Sequence, residues 1–204
     1  MTEPNESQPE FQFPKIHSFP PLYTKQPNQS IHQQQLETWS HIILLYCEFY
    51  KITSLTSTGT PKHTTSTTRN VSAFPPIFTN NAINRSVNLE FKTAIFNHMI
   101  STKRAELIDH KKPHMGMFIY WRSIAEWGQI LYDYVSNTGQ KGTVLTLWEL
   151  TSGGTEEDAN LLPLELKNMD ESLLIKVIQE YLVKSGKAQV LINEHDSIGG
   201  VKIV

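Results

Sequence analysis

Cysteine is almost absent: Cys47 is the single one in 204 residues. No disulfide can therefore close within the chain, and no multi-cysteine metal site can be assembled. Cys47 sits in an apolar helical pattern without a neighbouring basic residue, which marks a small core side chain rather than a reactive thiolate. No apolar run approaches the ~18 residues that a membrane span requires. The polar stretch from Met1 to Ser18 carries no signal-peptide pattern, so an intracellular, soluble protein is expected. Glycine, at 10 residues, never falls into the spacing of a phosphate-binding loop. His110 and His114 stand four apart, but Lys111, Lys112 and Pro113 between them forbid a helical face and would crowd a metal with positive charge. The acidic run Glu156-Glu157-Asp158 lacks calcium-loop spacing. With no catalytic, metal or cofactor constellation, the expectation is a protein that is not an enzyme.

Net charge is also small, −2, yet it is unevenly placed. Residues 1–122 hold 12 Lys and Arg against 8 Asp and Glu, a balance of +4. Residues 123–204 hold 6 against 12, a balance of −6. The second half should favour basic partners and repel phosphate backbones.

What is present begins with a proline-bounded arm over residues 19–29, Phe19-Pro20-Pro21-Leu22-Tyr23-Thr24 followed by Lys25-Gln26-Pro27-Asn28. Two prolines with fixed φ and no N–H predict an extended polyproline II strip that cannot enter a helix. Its apolar side chains then either plug a socket on another protein or strap the arm to its own domain. Residues 1–18, polar and with Pro4 and Pro9, read as disordered.

Beyond the arm, Ser30 is a candidate helix cap, and Leu36, Trp39, Ile43, Tyr46 and Tyr50 step by 3, 4, 3 and 4 along one helical face. From Thr53 to Thr68, 11 of 16 residues are Ser or Thr, which predicts a flexible insertion over about 53–70. Phe74-Pro75-Pro76-Ile77-Phe78 echoes the arm. It is either a second proline motif, with Pro75, Pro76 and Phe78, or the start of a short helix reaching about Arg85. A helix from about Asn88 and a hairpin from Ala105–Asp109 to Met115–Trp121 complete a unit over 30–122.

The grammar repeats over 123–204. Ile124, Trp127, Leu131 and Tyr134 form a helical stripe, Thr146–Thr151 a short helix, and Gly153–Asn168 an acidic loop. A helix opened by Asp170 follows, then strands at Ala188–Ile192 and Val201–Val204 joined across Gly199-Gly200. The fold class expected is α+β, mainly α: two tandem winged-helix domains preceded by a proline-rich arm. Winged helices suggest DNA, but the third helix of the second unit, with Asp170, Glu171, Lys176, Glu180 and Lys184, is nearly charge-balanced. It lacks the cationic face that phosphates and base edges need, so no nucleic-acid partner is expected.

At several strings the chain resembles a known family, the small subunit of the endosomal sorting complex ESCRT-II. These are Phe19–Thr24 with Gln26-Pro27-Asn28, Gln35–Trp39, Trp121-Arg122, Glu126-Trp127-Gly128, Tyr132, Val135-Ser136, Gly139-Gln140, Thr146–Thr151 and Gly200-Val201-Lys202. The resemblance implies tandem winged helices, no catalytic activity and no cofactor. It further implies that Phe19, Pro20, Pro21, Leu22 and Tyr23 dock into winged-helix domains of the two larger ESCRT-II subunits. The second unit would recruit the basic helix of the nucleating ESCRT-III subunit, with Glu156, Glu157 and Asp158 as candidate contacts. Such a protein would be cytoplasmic and reach endosomal membranes only through the complex, sorting ubiquitinated cargo into multivesicular bodies. The family often has Phe where this chain has Tyr23, and the Thr-rich run departs from its pattern. Two other readings stay open: an adaptor whose Pro20-Pro21-Leu22-Tyr23 is held by WW domains, and self-association of the isolated chain through an arm without its socket.

Overall fold

The computed structural model describes residues 10–64, 74–194 and 196–204. Helix α1, Gln29–Tyr50, is the axis of the first half. Its cap is Asn28 rather than Ser30: the Asn28 carboxamide accepts the Ile31 N–H at 3.1 Å, from the extended backbone that a capping residue adopts. Leu36, Trp39, Ile43, Tyr46 and Tyr50 are all buried, as their spacing predicts. Lys51, in the left-handed region at φ 54°, turns the chain out of the helix.

The Thr-rich run is not a loose insertion where the structure describes it. Strand β1, Ile52–Leu55, is buried along its whole length and pairs antiparallel with β2, Pro61–Thr64. Ile52 and Leu55 supply the buried apolar area, and threonine is a good strand former because its branched Cβ suits a pleated surface. The remainder of the expected insertion, residues 65–73, lies outside the described residues.

The helix expected over 77–85 is instead a minimal hairpin. Strands β3, Thr79–Asn80, and β4, Arg85–Ser86, flank a 3₁₀ turn at Asn81–Ile83. Asparagine decides it: the Asn80 side chain accepts the Ala82 N–H at 3.0 Å, and Asn84 takes the left-handed region at φ 50°. Helix α2, Leu89–Ser101, is capped by Asn88 and packs on α1. Strands β5, Ala105–Leu107, and β6, Met117–Ile119, form the expected hairpin, which β1 and β2 extend to a four-stranded antiparallel sheet of order β2-β1-β6-β5.

In the second half, Ser123 and Glu126 make a reciprocal capping box at the start of α3, Ile124–Asn137. The short helix α4 is Glu149–Ser152. The acidic stretch expected to be a loop contains helix α5, Glu156–Leu161, because Thr155 caps it and three carboxylates stand in its first turn, where the helix end is partly positive. Helix α6, Glu171–Val177, opens at Asp170 and continues as a π-helical segment, Ile178–Val183. Strands β7, Val144–Leu145, β8, Ala188–Ile192, and β9, Ile198–Ile203, form a sheet of order β7-β9-β8. Gly199 and Gly200 lie within β9 and not in its turn, which is held by Asn193 bonds to Ser197. A Cβ on Gly200 would stand 2.6 Å from a Val144 methyl, so glycine is what lets β7 approach.

The chain is thus a mixed α and β fold with small antiparallel sheets, and the two halves share one continuous core. Trp121 bridges them, donating its indole N–H to Ile52 O at 2.8 Å while its ring meets Trp127 edge-on at 5.0 Å. Beside it, Lys176 on α6 bonds Glu106 on β5 and Glu180, both at 2.7 Å, and Tyr120 donates to the second Glu106 oxygen at 2.9 Å. The Lys176 and Tyr120 bonds hold the Glu106 carboxyl below its ordinary range against the opposing effect of burial.

Candidate docking site

The proline arm is ordered, and its form differs from a polyproline II strip. Pro20–Tyr23 is a single 3₁₀ turn with proline at its first positions, and Lys15–Ser18 is another. Proline is excluded from a helix interior but not from its first turn, where the missing N–H would have had no partner. That turn splits the motif into two faces.

The inner face is Leu22 and Tyr23, both buried against α1. The Leu22 carbonyl accepts the Trp39 indole N–H at 3.0 Å. The Gln35 carboxamide donates to the carbonyls of Pro21 at 2.9 Å and Thr24 at 3.0 Å, and its oxygen accepts the Gln26 N–H at 3.1 Å. Four main-chain groups of the arm are therefore satisfied by two side chains one turn apart on α1, which is why a segment with few backbone bonds of its own holds a fixed shape. Tyr23 donates to His17 O at 2.8 Å and meets Trp39 edge-on at 5.4 Å, and burial pushes its phenol up to about 12.

Residues 10–18 belong to the same strap and correct the expectation of disorder; residues 1–9 lie outside the described residues. Phe11 is buried among Phe13, Tyr46 and Phe49, and its N–H donates to the Tyr50 hydroxyl at 2.9 Å. His17 is buried, stacked on Phe13 at 4.0 Å, with Nε2 bonded to Ile77 O at 3.1 Å. That bond makes Nε2 the protonated nitrogen, and Nδ1 then faces the Asn80 amide at 3.4 Å as an acceptor. Burial lowers the His17 pKa, although the Ile77 carbonyl opposes the shift. A histidine depressed in the folded state costs stability as pH falls from its unfolded value, near 6.5, towards the lower folded one. Urea midpoints are therefore expected to drop between pH 7.5 and 5.5, and to drop less in His17→Gln; equal losses in both proteins would exclude His17 as the group responsible.

The outer face is Phe19, Pro20 and Pro21. Phe19 is 52% exposed, and with Ile16, Pro21, Ile31 and Gln34 it borders an open groove of about 430 Å³. The five motif residues are thus together in sequence but opposed in space: two anchor the turn and three present it. Sequence reasoning placed Trp39 and Tyr50 in the core but gave no role to Gln35 or His17. A glutamine inside a Gln-rich run carries no signal of burial, whereas Trp39 one turn further on could have hinted at a partner for its N–H.

Elsewhere, Phe78 of the second proline stretch lies in the core, 5.2 Å from Trp39 and 5.7 Å from Phe96, and Pro75 O accepts the Tyr46 hydroxyl at 2.7 Å. Of that trio only Pro76 is exposed, so Pro75, Pro76 and Phe78 form a structural strap rather than a second presented motif. Glu156 and Glu157 are exposed, but Asp158 is not a free surface charge. Its carboxylate accepts the Thr155 hydroxyl at 2.8 Å, and its carbonyl accepts the Tyr134 hydroxyl at 3.3 Å. Cys47 is fully enclosed, and burial raises its thiol pKa. Among the described residues no group of three or more His, Cys, Asp or Glu could hold a metal, and no helix is long and apolar enough to cross a membrane.

The comparisons with known proteins converge on one family. The model for the ESCRT-II complex subunit matches residues 16–165. Vacuolar protein-sorting-associated protein 25 of Mus musculus is 30% identical over 181 residues, covering 89% of this chain and 92% of the relative. The protein of the same name from Saccharomyces cerevisiae is 30% identical over 204 residues, covering 94% and 98%. Among solved structures, the crystal structure of subunit VPS25 of the endosomal trafficking complex ESCRT-II superposes with a TM-score of 0.77 at 30% identity, covering 94% of this chain and 98% of that one. The chain in the structure of endosomal complex ESCRT-II (VPS22/VPS25/VPS36) gives 0.74 at 29% identity over the same shares. With an arm presented from a folded strap and a family match over most of its length, the chain belongs to the VPS25 family of ESCRT-II complex subunits, non-catalytic components of endosomal sorting.

Proposed function

We propose that this chain is the assembly and output arm of an ESCRT-II complex, built from two tandem winged helices over 30–122 and 123–204. The outer face of the arm docks into winged-helix domains of the two larger subunits, the counterparts of VPS22 and VPS36 with which a relative is assembled. The observation that carries this reading is the division of the motif: Leu22 and Tyr23 are committed to α1, while Phe19 stands 52% exposed on a turn fixed from behind. A large aromatic held rigidly in solvent loses little entropy on docking. The exposed Glu156 and Glu157 at the start of α5 give the second unit an acidic turn suited to the basic helix of the nucleating ESCRT-III subunit. The protein is then cytoplasmic and reaches endosomal membranes through the complex, where ubiquitinated cargo is sorted into multivesicular bodies. A WW-domain adaptor is less well supported, because a WW domain must grip the tyrosine of its motif, and Tyr23 is buried with its hydroxyl bonded inside the chain.

Copurification tests both ends at once. Phe19→Ser is expected to reduce capture of the larger subunits by at least about tenfold, the loss of one buried aromatic anchor. Tyr23→Phe should retain capture, and Glu156→Lys with Glu157→Lys should retain it while losing the ESCRT-III subunit. Asp158 is left intact because its carboxylate accepts the hydroxyl of Thr155, the residue that caps α5. Undiminished capture by the Phe19 variant, or its loss with Tyr23→Phe, defeats the docking reading; ESCRT-III capture by the lysine variant defeats the acidic one.

A further inference from the structure

Although its half of the chain is acidic, the face formed by α3, the π segment and the end of β9 carries two lysines that pair with no carboxylate among the described residues. We infer that Lys141 and Lys187, set around Tyr132, form a binding site for a carboxylate side chain of a protein partner, separate from both the arm and the Glu156 turn.

The cluster is assembled from α3, the π segment, the end of β9 and the two connecting segments that carry the lysines. The end of β9 holds the two lysine segments side by side: Gly142 N–H donates to Ile203 O at 2.8 Å, and Val204 N–H donates to Lys187 O at 2.9 Å. The Lys187 ammonium donates to Gln129 Oε1 at 2.9 Å and to the Tyr181 hydroxyl at 3.2 Å, and lies 4.8 Å from the Tyr132 ring centroid and 5.1 Å from that of Tyr181. The Lys141 ammonium bonds the Tyr132 hydroxyl and lies 4.3 Å from the same ring. Tyr181 donates to Gln129 Oε1 at 3.2 Å.

An ammonium has three N–H donors and no acceptor. Lys187 uses two on Gln129 and Tyr181 and Lys141 one on Tyr132, so three N–H bonds are left without a protein acceptor among the described residues. Neither lysine makes an ion pair there. Asp133, next to Tyr132 in the chain, accepts the Gln129 amide on one oxygen at 2.7 Å and is not paired with either lysine. Two cations held on one tyrosine repel each other, and an anion between them removes that repulsion while accepting the unused donors. The site is also preformed. Tyr181 sits in the π segment with its ring against α3 where Gly128 has no side chain, and π segments recur at binding sites.

The charge of the surroundings selects the occupant. At −6, residues 123–204 repel an extended anionic surface such as a lipid bilayer, but a single carboxylate reaching between two lysines meets attraction at short range. Because Tyr132 and Tyr134 point to different sides of α3, the site is separate from the Glu156 turn that Tyr134 contacts, and it does not depend on the proposed ESCRT-III recruitment.

The test uses the full chain, labelled with ¹⁵N and titrated with a blocked hexapeptide of alternating glutamate and asparagine. Inorganic phosphate, phosphatidylserine vesicles and sodium chloride at equal ionic strength are the comparison arms. The peptide should shift the amides of Tyr132, Lys141, Gly142 and Lys187, and Lys141→Gln, an exposed change, should weaken its binding about tenfold while leaving the rest of the spectrum in place. Lys187→Gln should do the same. Shifts absent at these amides, shifts equal with chloride, or peptide binding unchanged in Lys141→Gln overturns the site. A response to phosphate or vesicles exceeding that to the peptide overturns its assignment to a carboxylate.

Discussion

Trp39→Ala is expected to destabilise the chain by about 3–5 kcal/mol, the range for deleting a fully buried aromatic. The residue is 0% exposed and its ring meets Tyr23 at 5.4 Å, His17 at 5.9 Å and Phe78 at 5.2 Å. It therefore joins the arm, the strap and the second proline stretch to α1. Two costs combine: the cavity, and the Leu22 carbonyl that loses its donor, itself worth about 1 kcal/mol. Trp39→Phe shrinks the first cost while keeping the second, since the phenyl ring fills part of the indole's place and the N–H is lost, and it should cost roughly 1–3 kcal/mol. Urea denaturation gives the totals, and limited trypsin digestion shows where the loss falls. Cleavage after Lys15 should accelerate in Trp39→Ala well before the rest of the chain is cut, because the strap loses its keystone while α1 and α2 still pack. A loss below about 1 kcal/mol, or unchanged cleavage at Lys15, would mean that the arm is held by other contacts.

The arm shows what could be read from sequence and what could not. Its residues announced themselves, because Pro-Pro beside Phe, Leu and Tyr is a rare apolar cluster without a helix or strand period. Its conformation did not, since whether two prolines extend a chain or begin a turn depends on acceptors and donors supplied from elsewhere, here Gln35 and Trp39. The plug and the strap were alternatives in the sequence; in the fold Leu22 and Tyr23 strap the arm to α1, while Phe19, Pro20 and Pro21 are left exposed on the same turn. Helices α1, α2 and α3 were legible because a 3–4 spacing of large apolar residues is local and strong. Strand β1 was not, since Ile52 and Leu55 flank a polar pair, Thr53 and Ser54, that is buried only because β2 and β6 close over it. Likewise α5 spans six residues and buries none of their side chains, so it shows no apolar period, and a threonine cap three positions before Asp158 was its best signal. The lysine cluster was invisible in a half whose summed charge is negative, because summed charge says nothing of where cations gather on tyrosine and glutamine rather than on carboxylates.

Gly128→Ala sets two effects against each other, and their sizes decide the outcome. Alanine in a helix interior gains up to about 1 kcal/mol over glycine from backbone entropy. At this position, however, the new Cβ would stand 2.2 Å from Tyr181 Cδ1, 2.9 Å from Cγ and 3.0 Å from Cε1. Those are atoms at the base of the ring rather than the end of a flexible chain, so the whole side chain must move. The ring cannot move alone: its hydroxyl is bonded to Gln129 and Lys187, and its backbone lies in a π segment bounded by the buried Ile178 and Leu182. Overpacking of this kind costs roughly 1–3 kcal/mol, so the clash should outweigh the propensity gain and leave the variant less stable. Tyr181→Ala in the same background removes the obstacle, and the double variant should recover the helix gain, giving a coupling of opposite sign to the single losses. Chemical denaturation of the four proteins measures that coupling directly. A Gly128→Ala protein more stable than the parent would mean that α3 and the π segment slide apart at little cost, and that Tyr181 is not fixed in the lysine cluster.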